Sequence, residues 1–273
     1  MTKLAVISDV HGNRTALQAV LTDIDKLGHV DHLLNLGDLA VFGPDPAGVL
    51  TLLQHYPPML TIMGNTDRYL VEKQYPGEPG GTDWQSQVLA SFPWTADQLG
   101  PDGLAYLETL PARQYLQLSA EHAILAVHGS PRSDEENMKP DTSPAELNEM
   151  MTNTPPHNLL LCAHTHLPFD RMINGRRFVN VGSVGLPFDG DPRASYAVIT
   201  LQPRGKYHID LRRVYFDVEA VVKELESVGH PTAEVGAYNL RYARPLGSKL
   251  VYTEKMRRGT DKFAIINKKN FYR

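Results

Sequence analysis

The sequence has little of what marks secreted, membrane-embedded or nucleic-acid-coating proteins. Among its 273 residues there is one cysteine, Cys162, which excludes an intramolecular disulfide framework and is typical of a reducing compartment. It lacks a run of the roughly 18 apolar residues that a membrane span needs, and its amino terminus lacks a signal-peptide pattern. The net charge of −4 disfavours a protein that coats nucleic acid. We therefore expect a cytoplasmic protein without membrane association.

The most informative stretch lies at the start of the chain. Residues 4–8 form an apolar run that predicts one buried strand, and the run leads directly to Asp9 and His11. In an extended chain, residues two apart point to the same side, so this carboxylate and imidazole should face one point at the strand's carboxyl end. Open α/β sheets bind ligands there, and both groups bind divalent metals. By itself, the pair also fits a polar turn that contains a histidine.

The same arrangement recurs along the chain. Predicted strands at residues 32–36, 59–63, 123–127 and 159–163 each end next to a carboxylate, an amide or imidazoles. Such a set can hold two divalent ions about 3.5–4 Å apart if one carboxylate bridges them. The alternative is five unrelated polar loops. The candidate metal ligands are Asp9, His11, Asp38, Asn65, His128, His164 and His166.

The segment at residues 84–110 is predicted to be helical, with breaks at Pro93 and Pro101. We interpret it, within residues 72–110, as an insertion or lid over the site. Its Trp84 and Trp94 fit core anchors better than ligand-stacking residues. The preceding residues 75–81, rich in Pro and Gly, predict a loop.

The second half of the chain predicts a hairpin, two further strands and a helix. Asn174-Gly175 indicates a type I′ turn, and residues 195–201 and 207–214 follow as strands, the latter half-exposed. Residues 241–273 contain about ten Lys and Arg, with aromatic residues among them. This tail could contact nucleic acid or an anionic substrate, but a solvated extension is the simpler interpretation. The helix at residues 218–228 has the apolar stripe Val221, Val222, Leu225 and Val228.

Taken in order, the ligand motifs resemble those of the calcineurin-like metallophosphoesterases, over roughly residues 1–215. Three further stretches are similar to the small bacterial and archaeal phosphodiesterase branch of that family, at residues 65–68, 128–131 and 180–183. The five motifs that carry the resemblance are Asp9-Val10-His11, Gly37-Asp38, Gly64-Asn65, His128-Gly129 and Ala163-His164-Thr165-His166.

The resemblance implies an α/β (α+β) fold, a four-layer sandwich of two mixed β-sheets flanked by helices. Residues 1–228 would form the metallophosphoesterase domain, and residues 229–273 would be a basic C-terminal extension. It further implies two divalent ions, Mn²⁺, Fe²⁺/Fe³⁺ or Zn²⁺, bridged by Asp38. By the family pattern, the first ion is held by Asp9, His11 and His166, and the second by Asn65, His128 and His164.

The implied function is that of a dinuclear metal-dependent phosphoesterase. We expect hydrolysis of phosphodiester bonds, by in-line attack of a metal-bridging hydroxide on a phosphorylated small molecule or nucleotide. The candidate catalytic residues are Asp38, Asn65, Asp67 and Arg68, with Arg132 as a second candidate to neutralise phosphoryl charge and Asn13 and Asp67 as orienting residues. A phosphomonoesterase, a dinucleoside polyphosphate hydrolase, a nuclease and a non-enzymatic scaffold of this fold are the alternatives. A homo-oligomer also remains open.

The chain departs from the family pattern at two positions. Ala163 replaces the usual Gly before His164, which we expect to be harmless if its backbone angles are ordinary. Thr66 stands where many relatives have a histidine that assists departure of the leaving group. A Thr hydroxyl is not an acid near pH 7, so we expect poor cleavage of esters with poor leaving groups.

Overall fold

The computed structural model describes residues 2–76 and 84–246, except the side chain of Trp84, and the backbone alone of residues 250–251 and 264–265. Ten strands form two five-stranded sheets, and two more form a short antiparallel pair. The strands are β1 (Lys3–Ile7), β2 (His32–Asn35), β3 (Met59–Thr61), β4 (Arg113–Gln117), β5 (Ala123–Val127), β6 (Leu159–Cys162), β7 (Phe169–Ile173), β8 (Arg176–Asn180), β9 (Ala194–Gln202), β10 (Lys206–Val214), β11 (Leu250–Val251) and β12 (Ala264–Ile265).

Helices cover the outer faces of the two large sheets. Several begin at the residues that a sequence rule would choose: the side chain of Asn13 caps α1, and Asp45 caps α2 directly before Pro46. The helices are α1 (Arg14–Lys26), α2 (Pro46–His55), α3 (Asn65–Glu72), α4 (Trp84–Glu108), α5 (Pro144–Met150), α6 (Val218–Ser227) and α7 (Ala233–Tyr242).

Both sheets are mixed. The first has the order β10-β9-β1-β2-β3, in which β1, β2 and β3 are parallel and β9 and β10 run antiparallel. The second has the order β4-β5-β6-β8-β7, in which β5, β6 and β8 are parallel. The predicted hairpin between β7 and β8 is confirmed, because Asn174 and Gly175 both have positive φ, as a type I′ turn requires.

The alternation of side chains in β1 shows how the layers pack. Leu4 and Val6 point between the two sheets and contact apolar residues of the second sheet, whereas Ala5 and Ile7 pack under α1 to α4. On the far side, α5 covers the outer face of the second sheet through Leu147. The predicted four-layer sandwich of two mixed sheets is therefore confirmed.

Helix α4 corrects one sequence expectation and bears out another. It runs through Pro93 without a break, since Phe92 on its inner face is buried and this packing offsets the hydrogen bond that proline removes. The backbone leaves helical geometry at Gly100, with φ of 62°, directly before Pro101. The residue before a proline disfavours the helical region, and glycine tolerates positive φ.

The C-terminal helices pack together. The predicted apolar stripe of α6 is correct for Val221, Val222 and Leu225, which are buried. It is wrong for Val228, which is 42% exposed because the helix has ended by that residue and the chain turns away. Helix α7 contributes Leu240 to the cluster that α6 forms, so residues 233–242 pack onto the domain. The boundary at 228/229 stays a prediction.

Some of the sequence predictions fall wholly or partly on residues that the structure does not describe. Trp94 is half-buried and packs edge-on against His230, whereas the side chain of Trp84 is not described. The predicted loop at 75–81 is described only to residue 76, which lies in neither a helix nor a strand. Most of the basic tail at 241–273 lies outside the described residues. Among the described residues, no helix is long and apolar enough to cross a membrane.

Candidate metal centre

All seven predicted ligand residues meet at one edge of the sandwich. They follow the carboxyl ends of β1, β2, β3, β5 and β6, so both sheets contribute. Asp9, His11 and His166 each offer a ligand atom within 4.8 Å of the others, and so do Asp9, Asp38 and His128. Except for Asn65 and His164, every member of the set is at least 95% buried. The structure therefore brings these side chains together, and their role as metal ligands stays a prediction.

Three of the imidazoles are held in the orientation that metal binding requires. The Nδ1 atom of His11 donates a hydrogen bond to the Val41 carbonyl at 3.0 Å, and His128 donates to Leu36 at 2.7 Å. His166 donates in the same way to the carbonyl of Leu186. Because a carbonyl oxygen only accepts, Nδ1 carries a proton in each ring, and Nε2 is the nitrogen that each ring presents to the cluster.

Those Nε2 atoms converge on two buried carboxylates. His166 Nε2 lies 3.3 Å from Asp9 Oδ1, and the Nε2 atoms of His11 and His166 are 3.1 Å apart. Asp38 Oδ2 lies between His11, at 3.7 Å, and His128, at 3.4 Å. Two nitrogen ligands that each lie about 2.1 Å from the same ion would be separated from each other by a distance similar to the 3.1 Å between His11 Nε2 and His166 Nε2.

Asn65 and His164 complete the arrangement on the other side of Asp38. Asn65 Oδ1 lies 3.0 Å from His128 Nε2 and 3.0 Å from His164 Nδ1. His164 therefore faces the cluster through Nδ1, unlike the other three imidazoles. The amide oxygen and the two ring nitrogens have the composition of a second divalent-ion site.

The buried carboxylate of Asp9 shows that the residues fit cations. Neither of its oxygens has a hydrogen-bond partner, although the side chain is fully buried. A buried anion without partners is costly, and a cation is the partner that this donor set would accept. Burial disfavours the charged form of His128, but Asp38 and Asp9 beside it raise its pKa to about 10. A proton on His128 thus balances part of the negative charge in the ion-free cluster, and metal binding would displace it.

The backbone at the site is unusual. Five of the seven ligand residues have φ between 49° and 63°, in the left-handed region that residues other than glycine rarely adopt: Asp9, His11, Asp38, His164 and His166. The extended-chain argument for Asp9 and His11 was therefore wrong in its reason, since strand β1 ends at Ile7 and tight turns aim the side chains. Ala163 is not among the positive-φ residues, which agrees with a harmless replacement of glycine.

Gly64 lets two of the ligand loops touch. A Cβ atom at Gly64 would collide with the Asp38 carboxylate, so the chain before Asn65 passes directly beside that side chain. The backbone N–H of Thr66 donates to Asp38 Oδ1 at 2.9 Å. The start of α3 therefore fixes the orientation of Asp38.

Asp67 holds the two loops together from below. Its buried carboxylate accepts hydrogen bonds from the backbone N–H groups of Asp38 at 2.8 Å, Leu39 at 2.9 Å and Gly64 at 3.1 Å. Burial and the nearby charge of Asp38 raise the pKa of Asp67 to about 7. The predicted orienting role of Asp67 fits this geometry. Asn13 instead caps α1 and donates to the Gly185 carbonyl at 2.9 Å, so it acts on a neighbouring loop.

The two arginines that we expected to face the phosphoryl group lie elsewhere. Arg68 is bound by Asp134 at 2.7 Å and Glu135 at 2.6 Å, and Arg132 by Glu136 and by Glu149 at 3.0 Å. Neither lines the cavity above the ligands. Both side chains are engaged in ion pairs with neighbouring acids, and their role toward a phosphoryl group stays a prediction. Glu72 and Glu136 stand four residues after Arg68 and Arg132, so the sequence allowed those two ion pairs. The contacts of Arg68 with residues 134 and 135 join segments that are far apart in sequence.

Sequence reasoning missed the loop that supports Asp9. The hydroxyl of Ser183 donates to the Asp9 carbonyl at 2.8 Å, and the N–H of Gly185 donates to the same oxygen at 2.9 Å. The buried Asn180 side chain donates to the Ala163 carbonyl beside His164 at 2.6 Å. The motif at residues 180–183 was recognised only as a likeness, and its clustered polar residues were the available signal.

A family model for the calcineurin-like phosphoesterase superfamily domain matches residues 2–204. The chain belongs to this superfamily. It is 26% identical over 240 residues to an uncharacterized protein of Methanocaldococcus jannaschii, covering 81% of this chain and 91% of that protein. As a family member it is expected to bind divalent metals, and the convergent ligand groups agree with that.

Two solved structures share the fold over nearly their full length. A metallophosphoesterase from Sphaerobacter thermophilus has a TM-score of 0.69 and 28% identity, with 89% of this chain and 99% of that chain covered. A hypothetical protein from Pyrococcus horikoshii has a TM-score of 0.75 and 23% identity, covering 88% and 98% of the two chains. The second shows likeness of fold alone.

The hydrogen bonds of Asp67 generate a test of the site's support. Replacing Asp67→Asn exchanges an acceptor of three backbone N–H groups for a side chain with one oxygen, so the Asp38 loop should loosen. We expect Mn²⁺ affinity, measured by isothermal titration calorimetry, to fall about 10- to 100-fold. The exposed Asp102→Asn on α4 is the matched control and should bind as wild type does. Wild-type affinity in Asp67→Asn would contradict the positioning role.

Proposed function

We propose that this protein is a dinuclear metal-dependent phosphodiesterase. The observation that carries the proposal is the convergence of three Nε2 atoms, from His11, His128 and His166, on two buried carboxylates. Such a site suits divalent ions, since buried imidazoles and carboxylates are their usual ligands. A scaffold that had lost its activity would not need to retain every ligand.

The ligand residues divide into two sets around Asp38. Asp9, His11 and His166 would hold one ion, and Asn65, His128 and His164 the other, with Asp38 shared. When bound, such ions lower the pKa of a shared water and neutralise charge on the phosphoryl oxygens; Mn²⁺, Fe or Zn²⁺ suits this mixed nitrogen and oxygen donor set. The protein's own contribution is to fix the donors through Asp67 and the carbonyl partners of the imidazoles.

The charge of the cavity favours a diester over a monoester. Among the described residues that line it, there is no lysine or arginine. A phosphomonoester carries close to two negative charges at neutral pH, and a dinucleoside polyphosphate carries more, so cationic side chains usually assist their binding. A diester carries one negative charge. Two divalent ions set against Asp9 and Asp38 suffice to neutralise that charge.

Thr66 supports a preference for good leaving groups. Its side chain lines the cavity beside Asn65, and its hydroxyl is buried without a hydrogen-bond partner. Its hydroxyl cannot act as an acid near neutral pH, so the leaving oxygen would depart with its negative charge.

The proposed function is tested by removing the shared carboxylate. Hydrolysis of bis(p-nitrophenyl) phosphate should require added Mn²⁺, stop after chelation, and exceed hydrolysis of p-nitrophenyl phosphate. Asp38→Asn should lower kcat/KM by at least about a hundredfold, because it removes a charge that both ions share. The exposed Asp102→Asn serves as the control. Undiminished turnover in Asp38→Asn, or turnover without metal, would contradict the proposal.

The leaving-group expectation is tested within one class of substrate. For methyl phenyl phosphodiesters with para substituents of similar size, kcat/KM should fall roughly several-fold for each unit by which the phenol pKa rises. The isosteric Thr66→Val variant should keep the same slope, since the hydroxyl donates no proton. A flat dependence in the wild-type protein would show that some group protonates the leaving oxygen.

A further inference from the structure

The cavity over the candidate ions has one polar side and one apolar side. Its volume is about 720 Å³, and its polar side chains are those of five ligand residues together with Thr66, Tyr69, Gln85 and Ser86. The opposite side, here named the apolar wall, comes from three separate segments: the loop after β2, helix α4, and residues 186 and 188 of the loop before β9. The apolar wall consists of Phe42, Val88, Leu89, Phe92, Leu186 and Phe188.

The wall begins at the metal ligands themselves. The ring of Phe188 stacks on His166 with centroids 4.5 Å apart and planes 16° apart, and Phe42 lies 5.3 Å from His11. An ester group that extends from phosphorus toward the Asp9 side of the site would therefore meet aromatic and aliphatic carbon first.

The wall is supported from behind. Phe92 is 1% exposed and packs against Phe42, Tyr69 and Tyr75, with ring centroids 5.2 to 5.9 Å apart. Phe42 and Phe188 are only half-buried, although both lie in a concave site. Apolar carbon left in contact with water beside a charged centre costs free energy that a matching ligand recovers.

A second cavity lies behind part of the wall. Phe42, Val88, Leu186 and Phe188 also line this space of about 180 Å³, which α7 closes through Val235. These side chains, Phe188 among them, therefore separate the two cavities, and a longer apolar group has space to extend from the first cavity into the second.

We propose that the apolar wall binds an uncharged, apolar ester group of at least the size of a phenyl ring on the phosphodiester substrate. This inference rests on the proposed function. The shared chemistry is an organic group without charge, either aromatic or alkyl. The wall residues carry neither a charged nor a hydrogen-bonding side chain, and this favours such a group over a sugar or a charged headgroup.

The test compares diesters that share one leaving group. Wild-type protein with Mn²⁺ would be assayed on p-nitrophenyl phosphates whose second ester is methyl, hexyl, phenyl or thymidine-5′-yl. After division by the uncatalysed rates, kcat/KM for phenyl or hexyl should exceed that for methyl by at least about tenfold. A higher value for phenyl than for hexyl would identify the natural group as aromatic, and the reverse as alkyl. Equal values for methyl and phenyl, or a preference for the thymidine ester, would overturn the proposal.

Variants then locate the preference on the wall. Leu89→Ser and Phe188→Leu should each reduce the phenyl-to-methyl ratio by about threefold or more, because each removes apolar contact. Leu60→Ser, at an exposed leucine of β3 outside the cavity, is the control and should keep the wild-type ratio. An unchanged ratio in both wall variants would overturn the proposal even if all of them turn over substrate.

A binding measurement separates this inference from the proposed function. Isothermal titration of the Mn²⁺-loaded protein with methyl phenylphosphonate and methyl methylphosphonate compares two monoanions that require no turnover. The phenyl compound should bind at least about tenfold more tightly. If the phenyl compound binds more tightly while no diester is hydrolysed, the proposed ligand preference of the apolar wall is supported and the proposed hydrolase function is contradicted. Equal affinities for the two phosphonates would contradict the proposal that the apolar wall binds an apolar ester group.

Discussion

The structure depends on two carboxylates buried among imidazoles. Asp9 has no hydrogen-bond partner for either oxygen, and Asp38 lies within 4 Å of both His11 and His128. Such a cluster is expensive in a metal-free interior, because buried charge needs a partner of opposite sign. Most features of this edge of the sandwich serve to keep the carboxylates and imidazoles aimed at shared points. Divalent cations, which the superfamily implies, would supply this partner.

The loops meet these demands through hydrogen bonds to backbone groups, most of them made by side chains, rather than through apolar packing. Residues 180–186 bond to the Asp9 loop and to Ala163, and Asp67 bonds to the loops that carry Asp38 and Asn65. This support compensates for the left-handed backbone at five of the ligand residues, a conformation that costs roughly 1 kcal/mol or more each. The sheets position the strand ends, and the hydrogen-bonded loops then position the candidate metal ligands.

Much of the fold could be predicted because periodic apolar runs determine strands and helices locally. The run before Asp9 became β1, and Asn174-Gly175 became the hairpin turn. The site residues could be listed because each follows a strand. Their backbone conformation, the ion pairs that withdraw Arg68, and the aromatic wall could not be read, since each depends on segments far apart in sequence. Pro93 shows the same limit, because packing of α4 overrides a local rule.

The most direct test of this account is to locate the ions. Crystals of the full-length protein grown with Mn²⁺ would be measured at wavelengths on both sides of the manganese absorption edge. The account predicts two anomalous peaks per chain about 3.5–4 Å apart, one beside Asp9 and His11 and one beside Asn65 and His164, with Asp38 contacting both. No peak at these side chains in manganese-saturated crystals would contradict the claim that this cluster is a metal centre.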